Sequence, residues 1–185
     1  MMISWNRFNV YWLLALPLTL ICACRSAESK SNKALSTLRL FLEVNPDGTG
    51  RNRPVPIYRD KPFMVNVETE PFLTEANVSE ARVIEAVGGF AMRIRLDRRG
   101  SWLFEQYTVA NRGKRYAIFS QFHSPLDPKS NQARWLGAPV ISARVSDGVL
   151  VFTPDASREE ASQIVRGLNH VARKNANTPD KQSLK

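Results

Sequence analysis

The chain has 185 residues and a net charge of +9, enough for one domain with short extensions. That charge favours anionic lipid headgroups, wall polymers or acidic polypeptide as partners, and its cations, scattered rather than packed into one block, are weak evidence for nucleic acid. The only two cysteines, Cys22 and Cys24, lie near the N-terminus, so the folded part has neither a disulfide nor a cysteine metal ligand.

The first residues read as targeting rather than fold. Met1–Asn9 carries one charge, Arg7, and Val10–Ile21 is apolar over twelve residues before Cys22-Ala23-Cys24-Arg25. A short apolar run behind a basic residue is an export signal, and it falls short of the ~20 residues that a membrane span needs. Ile21-Cys22-Ala23-Cys24 resembles the lipobox of bacterial lipoproteins, with an aliphatic residue three places before a cysteine and a small residue directly before it. The resemblance implies that residues 1–23 are a signal peptide, that Cys24 is diacylated, and that the chain is anchored facing the periplasm. Arg25, where an aspartate would retain a lipoprotein in the inner membrane, favours the outer membrane. Plain secretion and an uncleaved anchor are the alternatives. Loss of Arg7 with the signal leaves a charge of about +8.

Residues 24–34 are small, polar and charged, the composition of a flexible tether. A single domain is expected over 35–174, followed by a frayed tail over 175–185. Within Thr37–Val44 the residues Leu38, Leu40, Leu42 and Val44 alternate onto one strand face. Asn45-Pro-Asp-Gly48 supplies turn chemistry, and Arg51–Pro54 reads as a basic linker. Phe63, Val65 and Val67 alternate again. Arg82–Val87 and Phe90–Leu96 flank Gly88-Gly89, and Arg93, Arg95 and Asp97 mark the wet face of an antiparallel sheet. Residues 99–111 predict a helix that gathers Trp102, Leu103, Phe104 and Tyr107. Tyr116, Ile118, Ser120 and Phe122 define another strand. Val140–Val145 and Val149–Thr153 flank Ser146-Asp147-Gly148, a hairpin signal. Ser157–Lys174 is the second helix, with a Ser157/Glu160 capping box and an apolar stripe of Ala161, Ile164, Val165, Leu168 and Val171. Together these elements predict an α+β fold, an antiparallel sheet with two main helices on one face.

The order of these segments is similar to the head subdomain of the large periplasmic domain of SecD and SecDF, the proton-driven accessory of the Sec export channel. Gly100 with Phe104, Thr108, Asn111, Gly113, Lys114, Ala117-Ile118, Ala138-Pro139 and Glu159-Glu160-Ala161 fall in the family's sequence of motifs, over Val65–Leu168. The resemblance implies a non-catalytic domain that holds exported polypeptide in a groove. With no second apolar segment, the chain is expected not to be a motor. Residues 38–44, the Arg51–Pro54 linker and a long polar loop over Ser120–Trp135 stand outside the resemblance. That loop nominates Phe122, Arg134, Trp135 and Leu136 as partner-binding residues, with Trp135 folded back as a lid over the core as the competing reading. The basic corner Asn111–Arg115 reads as structure rather than as an anion cradle. Phosphate loops lead into a helix, whereas here a helix ends at Gly113.

Three functions are open on these residues. One is an exported, membrane-anchored domain that engages polypeptide; another is an envelope scaffold that docks on a membrane protein or anionic wall polymer through its basic face. The third, an enzyme, lacks a nucleophile–base pair. Ser124 and His123 are sequence neighbours, Asp127 precedes a proline, and Glu159 and Glu160 suit a helix N-terminus. His123 and His170 show no metal-ligand spacing, and no cofactor, metal or nucleic acid is expected.

Overall fold

The computed structural model describes residues 35–48, 50–127 and 130–177. The expected signal segment, Cys24, the expected tether and residues 178–185 lie outside the described residues.

Among the described residues the chain forms nine strands, two α-helices and one short 3-10 turn at Glu75–Asn77. The strands are β1 (Arg39–Leu42), β2 (Asn52–Ile57), β3 (Phe63–Glu68), β4 (Leu73–Thr74), β5 (Val78–Ala86), β6 (Gly89–Leu96), β7 (Tyr116–His123), β8 (Asn131–Gly137) and β9 (Val149–Phe152). Helix α1 (Arg98–Ala110) follows β6, and α2 (Arg158–Ala176) follows β9. All strand pairings are antiparallel, so the class is α+β as the alternation implied. The single sheet divides, however, into three: β4-β1-β7-β8, β2-β3 and β5-β6-β9.

The division follows from burial on both faces of the central sheet. Successive strand residues point to opposite sides. Leu40 and Leu42 of β1, Tyr116, Ile118 and Phe122 of β7, and Leu136 of β8 enter the main core. Their neighbours Phe41, Ala117, Phe119 and Trp135 enter a second core with Val55, Ile57, Val65 and Val67 of the β2-β3 hairpin. Each large apolar side chain fully removed from water contributes about 1.5–3 kcal/mol. Both hydrophobic layers therefore stabilise the same three strands, β1, β7 and β8.

The main core is closed by Met92, Ile94, Leu150 and Phe152 of the three-stranded sheet, by Phe104 of α1, and by Ala161, Ile164 and Leu168 of α2. On α1 the buried stripe is Gly100, Phe104 and Thr108. Trp102, expected on that face, is instead 60% exposed. Gly100 is required where it stands, because an added Cβ would lie 2.8 Å from Asn77 Cβ. Helix α2 opens with the expected Ser157/Glu160 capping box and runs through Asn175 and Ala176, two residues assigned from sequence to the tail.

Three further local expectations are corrected. Val140–Val145 forms no hairpin with β9; only Val140 makes a bridge, to Arg115. The segment instead packs on α1, where the Val145 amide donates to Thr108 Oγ1 at 3.1 Å. The β9 strand pairs with β6. Arg51–Pro54 is not a linker, since β2 begins at Asn52. Most of the expected 120–135 loop is the β7-β8 hairpin itself, leaving only Ser124–Ser130 between the strands.

Candidate functional site

Each sheet has edges, and an uncovered edge is a template for another extended chain. In this fold two of them are closed by side chains. On β5, the Ala81 amide donates to Asn169 Oδ1 at 2.8 Å, and Asn169 Nδ2 donates to the Ala81 carbonyl at 2.9 Å. One side-chain amide from α2 thus takes the place of a neighbouring strand. On β2, the Thr69 amide donates to the Arg51 carbonyl. Bonded pairs recur every second residue, so Arg53, Val55 and Ile57 face β3, while positions 52, 54 and 56 face outward. Pro54 and Pro56 stand at two of those positions, where the missing N–H costs no ladder bond and leaves nothing to donate.

The outer edge of β8 is different. The Ser124 amide donates to the Ser130 carbonyl at 2.9 Å. Counting back along the ladder makes Phe122–Gln132 and Ser120–Arg134 the bonded pairs. Asn131, Ala133 and Trp135 therefore direct their N–H and C=O groups away from β7. A bulge between Ile118 and Phe119 adds Leu136 to this strand, and its carbonyl accepts from the Asp155 amide at 2.7 Å. Beside this edge lies a cleft of about 610 Å³, between β8 and the β2-β3 hairpin. It is lined by Gln132–Trp135 on one side, by Pro56, Tyr58, Arg59 and Pro62 on the other, and by Asp155 at one end. Its volume lies within the ≈300–1,000 Å³ of ligand-binding clefts.

The walls of the cleft are held rigidly. Trp135 packs edge-on against Phe41 at 5.3 Å between ring centroids and lies tilted against Phe119 at 5.0 Å. Arg59 joins the hairpin to the rest of the fold: its amide and Nε both donate to the Asp155 carboxylate, at 3.0 and 3.1 Å. The residue before it, Tyr58, has φ +65°, the sole non-glycine residue with positive φ among those described. An aromatic residue held there costs on the order of 1–3 kcal/mol, and such strain clusters at functional sites.

Behind β8, Arg134 makes a two-pronged pair with Glu160, at 2.7 and 3.0 Å, and lies 5.5 Å over the Phe122 ring. The Arg134 guanidinium holds the Glu160 carboxyl below the usual carboxylate range, although burial opposes this. Arg134 also donates to the Asp155 carbonyl. It is thus an internal clamp whose stem borders the cleft.

Of the four residues nominated from sequence, the structure brings Arg134 and Trp135 to the cleft. It places Phe122 and Leu136 at 0% exposure in the main core, so neither can touch a partner in this fold. Their burial follows from the hairpin: what read as loop is strand, and its alternate residues point inward. Pro56, Tyr58, Arg59, Pro62 and Asp155 were missed. The alternation of Val55 and Ile57 could have exposed β2, but its two prolines masked it. The Asn111–Arg115 corner is tied together by its own hydrogen bonds. Gly113 has φ +85°, Asn111 Nδ2 donates to the Tyr107 carbonyl at 3.1 Å, and Lys114 Nζ donates to Asn111 Oδ1 at 3.1 Å. Ser124 Oγ accepts from the Leu126 amide, a turn role. No three His, Cys, Asp or Glu side chains converge on one point among the described residues.

Comparison with known proteins adds the following. The family described as SecDF, P1 head subdomain, matches residues 53–172. Its span takes in β2 apart from Asn52, a strand outside the resemblance read from the sequence. A solved structure of SecDF, described as a membrane component that enhances protein export, is 21% identical with a TM-score of 0.50, covering 74% of this chain and 63% of that one. A second, SecDF in a super-membrane-facing form, gives the same identity and TM-score over 74% of this chain and 19% of that one. The chain thus spans less than two thirds of the structures it matches, and the likeness shows the fold. No curated protein matches the chain. The motif residues that carried the resemblance are packing and turn residues: Phe104, Ala117, Ile118, Ala138 and Ala161 are all buried.

Proposed function

The chain belongs to the family of SecDF P1 head subdomains, and from this we propose that it is an export-linked binding domain that takes up extended polypeptide by strand addition at the β8 edge. The solved SecDF is described as enhancing protein export, and a head domain of this fold working on the same side of the membrane would meet unfolded chains. The observation that carries the reading is the contrast among the edges: β5 is closed by Asn169 and β2 by prolines, while β8 turns the backbone groups of Ala133 and Trp135 outward beside a cleft. Main-chain hydrogen bonds would supply affinity without sequence specificity, and the Trp135 and Tyr58 rings would seat apolar side chains. The reading is non-catalytic. It has the domain lipidated at Cys24 and facing the periplasm, with the outer membrane favoured by Arg25.

Ala133→Pro tests it. The substitution removes an N–H that points away from β7, so the β7-β8 ladder keeps its bonds. The variant is expected to melt within a few degrees of the natural protein and to lose binding to a reduced, alkylated, unfolded polypeptide in a crosslinking or anisotropy assay. Unchanged binding with unchanged stability would refute strand addition at this edge. Salt separates this from docking through the basic face, because exposed charge interactions are screened within about 10 Å at 0.1 M salt.

A further inference from the structure

The outer face of α1 is built against the usual rules for a solvent-exposed helix. Successive residues turn by about 100°, so Arg98, Arg99, Trp102, Gln106 and Val109 fall on one stripe. All five are exposed, Trp102 at 60% and Val109 at 51%. The stripe holds no acid. Glu105 on its flank is paired with Arg144, and the nearby Asp97 carboxylate accepts from the Gly100 amide at 2.6 Å as the helix cap. Two arginines at the positive end of the helix dipole lower its stability. An exposed tryptophan leaves a large apolar body in water. A surface that is both anionic and partly apolar would relieve both.

We propose that this face docks on an anionic phospholipid bilayer, with Arg98 and Arg99 at the phosphates and Trp102 and Val109 entering the headgroup boundary. Interfacial helices combine basic residues with tryptophan in this way, and the tryptophan ring suits the headgroup level. Proximity comes from the chain outside the described residues. Cys24 lies eleven residues before Leu35, where the described domain begins. A segment of that length reaches at most about 36–40 Å, comparable with the diameter of a domain of this size. The proposal rests on the anchored reading of Cys24 for that proximity alone.

The test uses the full lipidated chain in vesicles of phosphatidylcholine, with and without phosphatidylglycerol. Aqueous quenching of Trp102 is read as the difference between the natural protein and Trp102→Phe, and attachment is read by flotation. The expected result is a Trp102 shielded in phosphatidylglycerol vesicles and open in phosphatidylcholine vesicles. Two arginines beside an anionic surface shift the docked-to-free ratio by about thirtyfold. Arg98→Glu with Arg99→Glu should therefore return Trp102 to its solution accessibility without lowering the melting temperature, since acids suit this end of the helix dipole. Flotation with Trp102 equally open in both vesicles overturns the docking face. Equal shielding in both vesicles, or shielding without vesicles, overturns it in favour of a protein or intramolecular cover. Failure of the anchor is a separate result, seen as loss of flotation. In that case the same shielding is read on protein added to phosphatidylglycerol vesicles from solution, where its absence overturns the face.

Discussion

Replacing Arg134 with Met tests whether the residue at the back of the cleft is a clamp or a contact. The natural side chain makes two charge-assisted bonds to Glu160, with side-chain exposures of 13% and 17%. Methionine keeps an apolar stem over Phe122 but leaves Glu160 half-buried, with only the Ser157 amide at 2.8 Å still donating to it. Hydrogen bonds to charged groups contribute about 1.5–3 kcal/mol each, and stranding one partner of a fully buried pair costs about 3–5 kcal/mol. With some solvent present, a loss of about 2–4 kcal/mol is expected, or roughly 5–15 °C in Tm for a domain of this size. A double-mutant cycle with Glu160→Gln should show coupling of about 1.5–3 kcal/mol.

The pH dependence has a defined sign. The folded Glu160 carboxyl is depressed, chiefly by Arg134. Its stabilisation is therefore complete above the unfolded value near 4.3 and fades as pH falls through the lower folded value. The stability gap between the natural protein and Arg134→Met, read by urea unfolding, should be widest at pH 7 and shrink below about pH 4. A gap constant with pH, or coupling below about 0.5 kcal/mol, would refute the clamp. Loss of polypeptide binding at full stability would return Arg134 to the role of a contact.

Other expectations follow from single residues. Gly113→Val forces a β-branched residue to φ +85° and should cost about 1–3 kcal/mol in chemical denaturation, with binding intact in whatever remains folded. A binding defect without a stability loss would contradict the structural reading of that corner. Cys24→Ser should abolish incorporation of a radiolabelled fatty acid in growing cells; retained label would place the lipid elsewhere.

Much of the fold was legible because its signals are local. The Ser157/Glu160 box, the left-handed Gly113 and the alternation of β1, β3, β6 and β7 each depend on neighbours in sequence. The misreadings share a cause: a distant partner outweighed a local preference. Asp147-Gly148 carries hairpin chemistry, yet Asp147 Oδ1 only accepts from the Val149 amide at 3.0 Å, because β6 holds β9. Trp102 was drawn into the helix's apolar face by composition, while the buried stripe is set by Gly100 fitting against Asn77. The candidate site was half visible. Arg134 and Trp135 line the cleft, but the strand nature of Asn131–Trp135 was hidden by the polar Asn131, Gln132 and Arg134. The cleft itself exists only because two segments far apart in sequence, at Tyr58 and Trp135, face each other.

The burial of β1 on both of its faces sets the order in which the domain can assemble. Leu40 pairs with Leu73 on one side and with Ile118 on the other, while Phe41 needs Trp135. A chain that emerges N-terminus first presents this strand long before its second neighbour exists, and contacts of such separation are slow to form. A segment ending before β7 leaves both hydrophobic layers open, since each takes residues from that strand. The domain is thus committed to closing late, and until then it is itself an unfolded chain with β1 exposed.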